Sequence, residues 1–177
     1  FGDAAGPAQR GYYSFKLGDW HIISLNSNLK DQAFAAQLEW LKTDLEQNPA
    51  RCTLAYWHHP LQSSGGHGNV DVMQSAWHIL GEANVELVLA AHDHHYERFA
   101  PMDSAGKRDD ARGIRQFIVG TGGATMTKFR LVKRHSEARN NHSLGVLKLM
   151  LGSGNYDWQF LPTVPGEYRD GGKGSCH

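Results

Sequence analysis

No stretch of the 177 residues approaches the roughly 18 consecutive apolar positions that a membrane-spanning helix needs. A mean hydropathy of -0.51 suits a soluble chain. Charge of one sign is equally lacking: eighteen Lys plus Arg offset eighteen Asp plus Glu, and no long block of like charge occurs. Nucleic acid and membrane surfaces, which are held through clustered Lys and Arg, are therefore not the partners to expect. A neutral chain has little electrostatic steering and a tendency to associate with itself. Repeats and low-complexity tracts are missing. So is any leader-like segment after Phe1, and the expectation is a mature or truncated product. Cysteine is down to Cys52 and Cys176. What remains supports one domain with one sizeable core, since 40% of the residues are hydrophobic. The residue in excess is histidine, at eleven.

Residues 12–17 and 20–25 read as two strands turned at Gly18-Asp19, a strong hairpin dipeptide. Residues 31–48 place Phe34, Leu38, Leu41 and Leu45 on one helical face, with Asp31 as the cap and Pro49 as the stop. Residues 53–58 form a short apolar run that empties into a polar loop at 62–68, the pattern of a buried strand delivering residues to a rim. A second helix carries Val72, Ala76 and Ile79 beside Met73, Trp77 and Leu80 and stops at Gly81. Residues 85–91 are another buried strand, running into His92. Strand, helix, strand, helix, strand is the order of a parallel sheet with crossover helices. Such sheets collect functional residues at the carboxyl ends of their strands, where His58 and His92 fall.

The second half differs in kind. Residues 114–119, 144–151 and 156–161 read as strands of an antiparallel meander, with Tyr156, Trp158 and Phe160 alternating against Asp157 and Gln159. The charged stretches 107–112 and 128–139 read as surface loops, and 166–177 as a Gly-rich surface tail. The expected organisation is a single partial domain over 1–177, with a βαβαβ part in 11–98, antiparallel strands in 99–165 and the tail in 166–177.

The richest segment is Ala91-His92-Asp93-His94-His95-Tyr96-Glu97-Arg98. On an extended backbone His92 and His94 project to one side, about 6–7 Å apart, where two imidazoles reach one metal or bridge two. Neutral imidazole is a common ligand for zinc, iron or manganese. Other His-x-His enzymes fit poorly. An amidohydrolase barrel needs more chain than the roughly 80 residues that follow. A zinc-hydrolase pattern needs an aspartate where Tyr96 stands, and a cupin needs its glutamate later than Glu97.

Taken together, Tyr56-Trp57-His58-His59-Pro60 and His92-x-His94-x-Tyr96-Glu97-Arg98 resemble the C-terminal half of the calcineurin-like metallophosphoesterases, in the branch of the purple acid phosphatases and their bacterial relatives. Leu17-Gly18-Asp19-Trp20-His21, Leu25-Asn26-Ser27, Gln37-Leu38-Glu39-Trp40-Leu41 and Val119-Gly120-Thr121-Gly122-Gly123-Ala124 agree, so the likeness covers residues 11–162. The resemblance implies an α/β fold: half of a four-layer α/β/β/α sandwich, βαβαβ and then a meander. It makes His58 and His92 ligands of one metal, His94 a ligand of the other, and His67 a residue near the substrate phosphate. Ala91 departs from the family's glycine by one methyl group. His59, His95, His21, His78, His135, His142 and His177 receive packing, surface or supporting roles, and Asp93 or Glu97 can orient a ligand imidazole.

The complete family site holds two divalent or trivalent transition-metal ions, Fe, Zn or Mn, about 3.5–4 Å apart, and hydrolyses phosphoesters. Its carboxylate and Asn ligands come from motifs absent here: Gly2-Asp3 and Gly18-Asp19 are misplaced, and Gly68-Asn69 lacks the following His. The expectation is therefore a phosphatase-like hydrolase domain, incomplete and inactive alone, binding at most one metal weakly. Its partners would be a phosphoester substrate and a missing N-terminal half or a second copy, because half a sandwich leaves a sheet face bare. The alternative is a non-catalytic scaffold module that binds a partner or a single metal ion. Cys52 and Cys176 leave both a disulfide and two free thiols open. A bridge would be worth roughly 4–5 kcal/mol. The family's frequent secretion favours the bridge and an extracellular or periplasmic location.

Overall fold

A computed structural model describes residue 6 and residues 9–177. The Gly2-Asp3 pair lies outside them. A hairpin of β1 (Tyr13–Leu17) and β2 (Trp20–Ser24) is closed by Gly18, left-handed at φ 59°. Helix α1 (Asp31–Gln47) follows, then β3 (Cys52–Tyr56), a single 3-10 turn leading into α2 (Gln74–Glu82), and β4 (Leu87–Ala90). Strands β2, β3 and β4 are parallel neighbours, so both helices are crossover connections. Asp31 opens α1 as its first residue and does not cap it; Lys30 occupies the cap without a side-chain bond.

Three further strands complete a seven-stranded sheet in the order β1-β2-β3-β4-β6-β5-β7. They are β5 (Tyr96–Phe99), β6 (Arg115–Val119) and β7 (Ser136–Asn140). A separate three-stranded antiparallel sheet is built from β8 (Gly145–Gly152), β9 (Asn155–Pro162) and β10 (Gly171–Ser175). One face of the large sheet, with Ile23, Ala55, Val88 and Ile118, packs on Leu41, Trp77 and Leu80 of the helices. The other face, with Ile22, Leu54, Leu87 and Phe117, packs on Tyr156, Trp158 and Phe160 of the small sheet. Burial on both faces explains why these strands read as continuous apolar runs without alternation.

Three readings of residues 99–177 change. The strand at 115–119 is not part of an antiparallel meander: it pairs parallel with β4 and antiparallel with β5. An apolar run fixes that a strand is buried but not which neighbour it takes. Within the charged stretch 128–139, residues from Ser136 onward enter β7, an edge strand that among the described residues is bonded only to β5, where charge is tolerated because one side faces water. The Gly-rich tail contains β10, tied by a Cys52–Cys176 disulfide with Cα atoms 5.5 Å apart. Its glycines are a packing requirement: a Cβ on Gly172 would lie 2.4 Å from the Trp158 ring, and one on Gly174 would lie 2.2 Å from the Tyr156 ring.

Candidate metal centre

Past the end of β3 and β4 the parallel ladder continues for two residues. The Trp57 N–H donates to the Leu89 carbonyl at 3.1 Å, and the Ala91 N–H donates to the His58 carbonyl at 3.0 Å. This brings residues 58 and 92, distant in sequence, side by side at the rim. His92 then adopts φ 55°, a left-handed conformation costly for a side chain with a Cβ, and the chain turns sharply. His58 Nε2 and His92 Nδ1 end 3.0 Å apart. His59 joins them: one ligand nitrogen from each of His58, His59 and His92 lies within 4.8 Å of the others. The His67 ring lies 4.7 Å from the His92 ring, so the rings of His58, His59 and His67 all pack against that of His92.

Supporting contacts fix this group. The Gln37 amide, on buried ground of α1, accepts from the Asn26 N–H at 2.7 Å and donates to its carbonyl at 3.2 Å. That pins the loop carrying Ser27, whose hydroxyl lies 2.8 Å from His59 Nδ1 and accepts the His59 N–H at 3.2 Å. Trp57 Nε1 donates to the His59 carbonyl at 2.7 Å. Burial depresses the His92 imidazole pKa, and the neighbouring His59, His58 and His67 depress it further, against a smaller opposing pull from Asp93. Burial and His58 lower His59 in the same direction. Both effects favour the neutral ring, whose lone pair is what a metal requires. An all-imidazole group of this span fits a borderline transition metal such as zinc, iron or manganese. It includes no carboxylate, so it fits one corner of a dinuclear site and not the bridging position.

His94 is held differently. Residues 92–95 form bends and not an extended strand, with the His95 N–H bonded back to the Asp93 carbonyl at 2.8 Å. The i, i+2 alignment expected for His92 and His94 therefore does not hold, and His94 stands apart from the trio. Its Nδ1 lies 3.0 Å from the Thr125 carbonyl, and its N–H donates to Thr127 Oγ1 at 2.9 Å. With Nδ1 donating, Nε2 keeps a free lone pair.

Neither acidic neighbour orients a cluster imidazole. Asp93, fully buried, accepts from Ser63 Oγ at 2.5 Å and from the His67 N–H at 3.1 Å, so it fastens the loop bearing His67 to the segment bearing His92. Glu97 accepts from Ser64 Oγ, the Ser64 N–H, His95 Nε2 and Ser136 Oγ. Burial pushes its carboxyl upward, but those four bonds hold it below the usual carboxylate range. On the opposite side of β5, Tyr96 Oη and Arg98 Nε donate to Asp170 at 2.6 and 2.8 Å, and Trp158 Nε1 donates to it at 3.1 Å. The Tyr-Glu-Arg run thus binds the His67 loop through one face and the small sheet through the other.

Of the residues singled out from sequence, His58, His92 and His67 converge, and His94, in the same 92–95 turn as His92, is held instead against Thr125 and Thr127. His59 was assigned no ligand role, yet its ring is in the trio. Its adjacency to His58 and the Pro60 stop were visible, but the Ser27 bond that aims it was not. His21, fully buried 3.0 Å from an Asp44 oxygen, and the exposed His78 next to Glu82 are packing and surface residues.

No family model matches the chain. It is 32% identical to purple acid phosphatase 21 of Arabidopsis thaliana over 63% of its own length and 26% of the relative's. It is 30% identical to probable purple acid phosphatase 20 of the same plant, over 72% of the chain and 32% of the relative. Purple acid phosphatase PPD1 from yellow lupin (Lupinus luteus) seeds superimposes with a TM-score of 0.79 at 20% identity, over 94% of this chain and 33% of that one, a likeness of fold. The chain therefore spans about a third or less of the length of these proteins. Sequence and fold together make it a relative of the purple acid phosphatases, corresponding to the C-terminal part of a calcineurin-like metallophosphoesterase.

Proposed function

We propose that the chain is the histidine-bearing part of a metal-dependent phosphoester hydrolase. The observation that carries this reading is the imidazole group at the carboxyl ends of two adjacent parallel strands, in a chain related to purple acid phosphatases. His58 and His92 serve one metal ion and His94 the second, while His67, on the loop fastened by Asp93, faces the phosphate or its leaving group. Bound there, two transition-metal ions supply Lewis-acid polarisation of the phosphoryl oxygens and a more acidic water. The chain's own residues hold the imidazoles in place through Ser27, Trp57, Thr125 and Thr127.

The bridging carboxylate has to come from polypeptide beyond these residues. An apolar groove of about 410 Å³ beside the cluster, lined by Tyr56, Leu89, Val119, Val146 and Leu147, supports this as the place where such a segment or a second copy packs. Strand β8 pairs only with β9 and leaves its other edge open among the described residues. The disulfide favours an oxidising compartment, extracellular or periplasmic. No helix among the described residues is long and apolar enough to cross a membrane.

Expressed together with the carboxylate-bearing segment, the protein should bind two equivalents of metal and hydrolyse p-nitrophenyl phosphate. The 177-residue chain alone should bind at most one equivalent and run as an oligomer on size-exclusion chromatography. A cooperatively melting monomer with no metal uptake in either form would remove the reading. A second reading, a scaffold holding one ion without catalysis, draws on the His58, His59 and His92 trio. One equivalent of metal and no hydrolysis in the complete protein would select it.

A further inference from the structure

A second cavity, of about 380 Å³, opens on the outer side of the His67 loop. Its volume lies within the range of small-ligand pockets, about 300–1,000 Å³. Lys107, Lys133, Arg134 and His135 line it, together with the side-chain amides of Gln62 and Asn69, and no carboxylate does. In a chain of zero net charge this is a concentration of one sign. None of the three cations makes an ion pair among the described residues. Asp103, four residues before Lys107, commits one oxygen to the N–H groups of Ala105 and Lys107, each at 2.9 Å.

The backbone at this wall is strained. His135 has φ 100° in a turn closed by the Ser136 N–H on the Lys133 carbonyl, a conformation that glycine adopts freely and a histidine does not. The strained residue is anchored by its carbonyl, which accepts the Ala100 N–H at 2.8 Å, so the backbone carrying His135 is fixed at the cavity, with the exposed Arg134 next to it. The wall is also joined to the loop of the candidate centre. The Lys133 N–H donates to Ser64 Oγ and the Arg130 N–H to the Ser64 carbonyl, both at 2.9 Å. On that same loop Asn69 Nδ2 donates to Gln62 Oε1 at 3.0 Å, so both amides border the cavity, while the His67 ring packs against that of His92.

We propose that this cavity binds a chain of adjacent phosphoryl groups, a di- or triphosphate, at a site separate from the imidazole cluster. Three unpaired cations spread around one concavity suit an extended polyanion better than a single phosphate, and the amides and imidazole add hydrogen bonds to phosphoryl oxygens. The proposal does not depend on catalysis.

The test is calorimetric titration of the protein with tripolyphosphate at constant ionic strength, with sulfate as the control anion. Binding should be saturable, at one equivalent, and weakened at least tenfold in a Lys107→Gln, Lys133→Gln, Arg134→Gln triple variant with an unchanged melting profile. His92→Gly, which removes the central imidazole of the other site, should leave it unaltered. Equal affinity in the triple variant, loss in His92→Gly alone, or sulfate binding as tightly as tripolyphosphate would each overturn the proposal. Where the complete protein hydrolyses phosphoesters, a second arm separates two sources of the polyanion. If it is a substrate's tail, the triple variant loses at least tenfold in kcat/KM on a nucleoside triphosphate and not on p-nitrophenyl phosphate. If it is a free effector, neither kcat/KM changes and only the response to added tripolyphosphate is lost.

Discussion

At the carboxyl ends of β3 and β4 three imidazoles crowd around that of a left-handed His92, held by hydrogen bonds from loops. At the amino ends of the same strands the chain is closed by the Cys52–Cys176 bridge, and the buried Glu86 carboxyl accepts the Thr53 N–H at 2.6 Å. Between the two sheets Asp170 takes hydrogen bonds from Tyr96, Arg98 and Trp158 at once. One region concentrates strain and neutral lone pairs where a ligand can reach them, and the other concentrates covalent and hydrogen-bonded closure. Local strain at a rim persists only if the rest of the fold over-determines it, so the stapled end is what lets the histidine end exist.

The contrast can be broken most strongly at the bridge. With its cysteines 124 positions apart, replacing both by serine should cost about 5 kcal/mol in the loop-entropy account, read by urea denaturation, while β10 loses protection in hydrogen exchange. Asp170→Ala comes next. It strips the partly buried Arg98 of its main partner, and after discounting for residual exposure the expected loss is about 2–3 kcal/mol.

The third test uses pH. Burial pushes the Glu86 carboxyl up to about 7, against the pull of the Thr53 N–H. The folded protein therefore prefers the protonated acid. Stability from this group is fully present below the ordinary carboxylate pKa and is lost as pH rises through about 7, by about 2–3 kcal/mol at most. Glu86→Gln should flatten the melting temperature between pH 5 and pH 7.5 (about the window in which the unfolded chain alone is ionised). The histidine rim has the opposite sign. His92 and His59 favour the neutral form in the fold, so their contribution falls as pH drops below the usual imidazole range.

The smallest expected effect is at the rim itself. His92→Gly relieves the left-handed strain and should raise stability by about 1 kcal/mol, while abolishing any rise in melting temperature on adding zinc. A destabilised variant would mean that the imidazole packing, and not the backbone, sets the local energy.

Much of the βαβαβ half was legible because its apolar positions repeat with the periods of helix and strand: Leu38, Leu41 and Leu45 on α1, and the apolar runs of β3 and β4. The rest was less so. Partner choice for β6 depends on where the intervening β5 is placed, and a run such as Arg115–Val119 carries no mark of it. Residues 171–175 read as part of a Gly-rich surface tail, since glycine is unfavourable in a strand. They fold only because the Trp158 and Tyr156 rings need the space and Cys176 is tethered. At the candidate site, His58 and His92 were readable as strand-end residues, whereas the inclusion of His59 required Ser27 to arrive from a different loop.

The amino-acid sequence by itself determined the alternation of elements, the strand ends at which histidines emerge, and the motif set shared with purple acid phosphatases, since these depend on residue type and short spacing alone. Only the tertiary structure decided which imidazoles meet, that the tail is a strand, and that unpaired cations gather beside the His67 loop. Those outcomes rest on contacts between segments 32 to 124 residues apart, such as Ser27 with His59, Lys133 with Ser64 and Cys52 with Cys176, whose geometry no local pattern encodes.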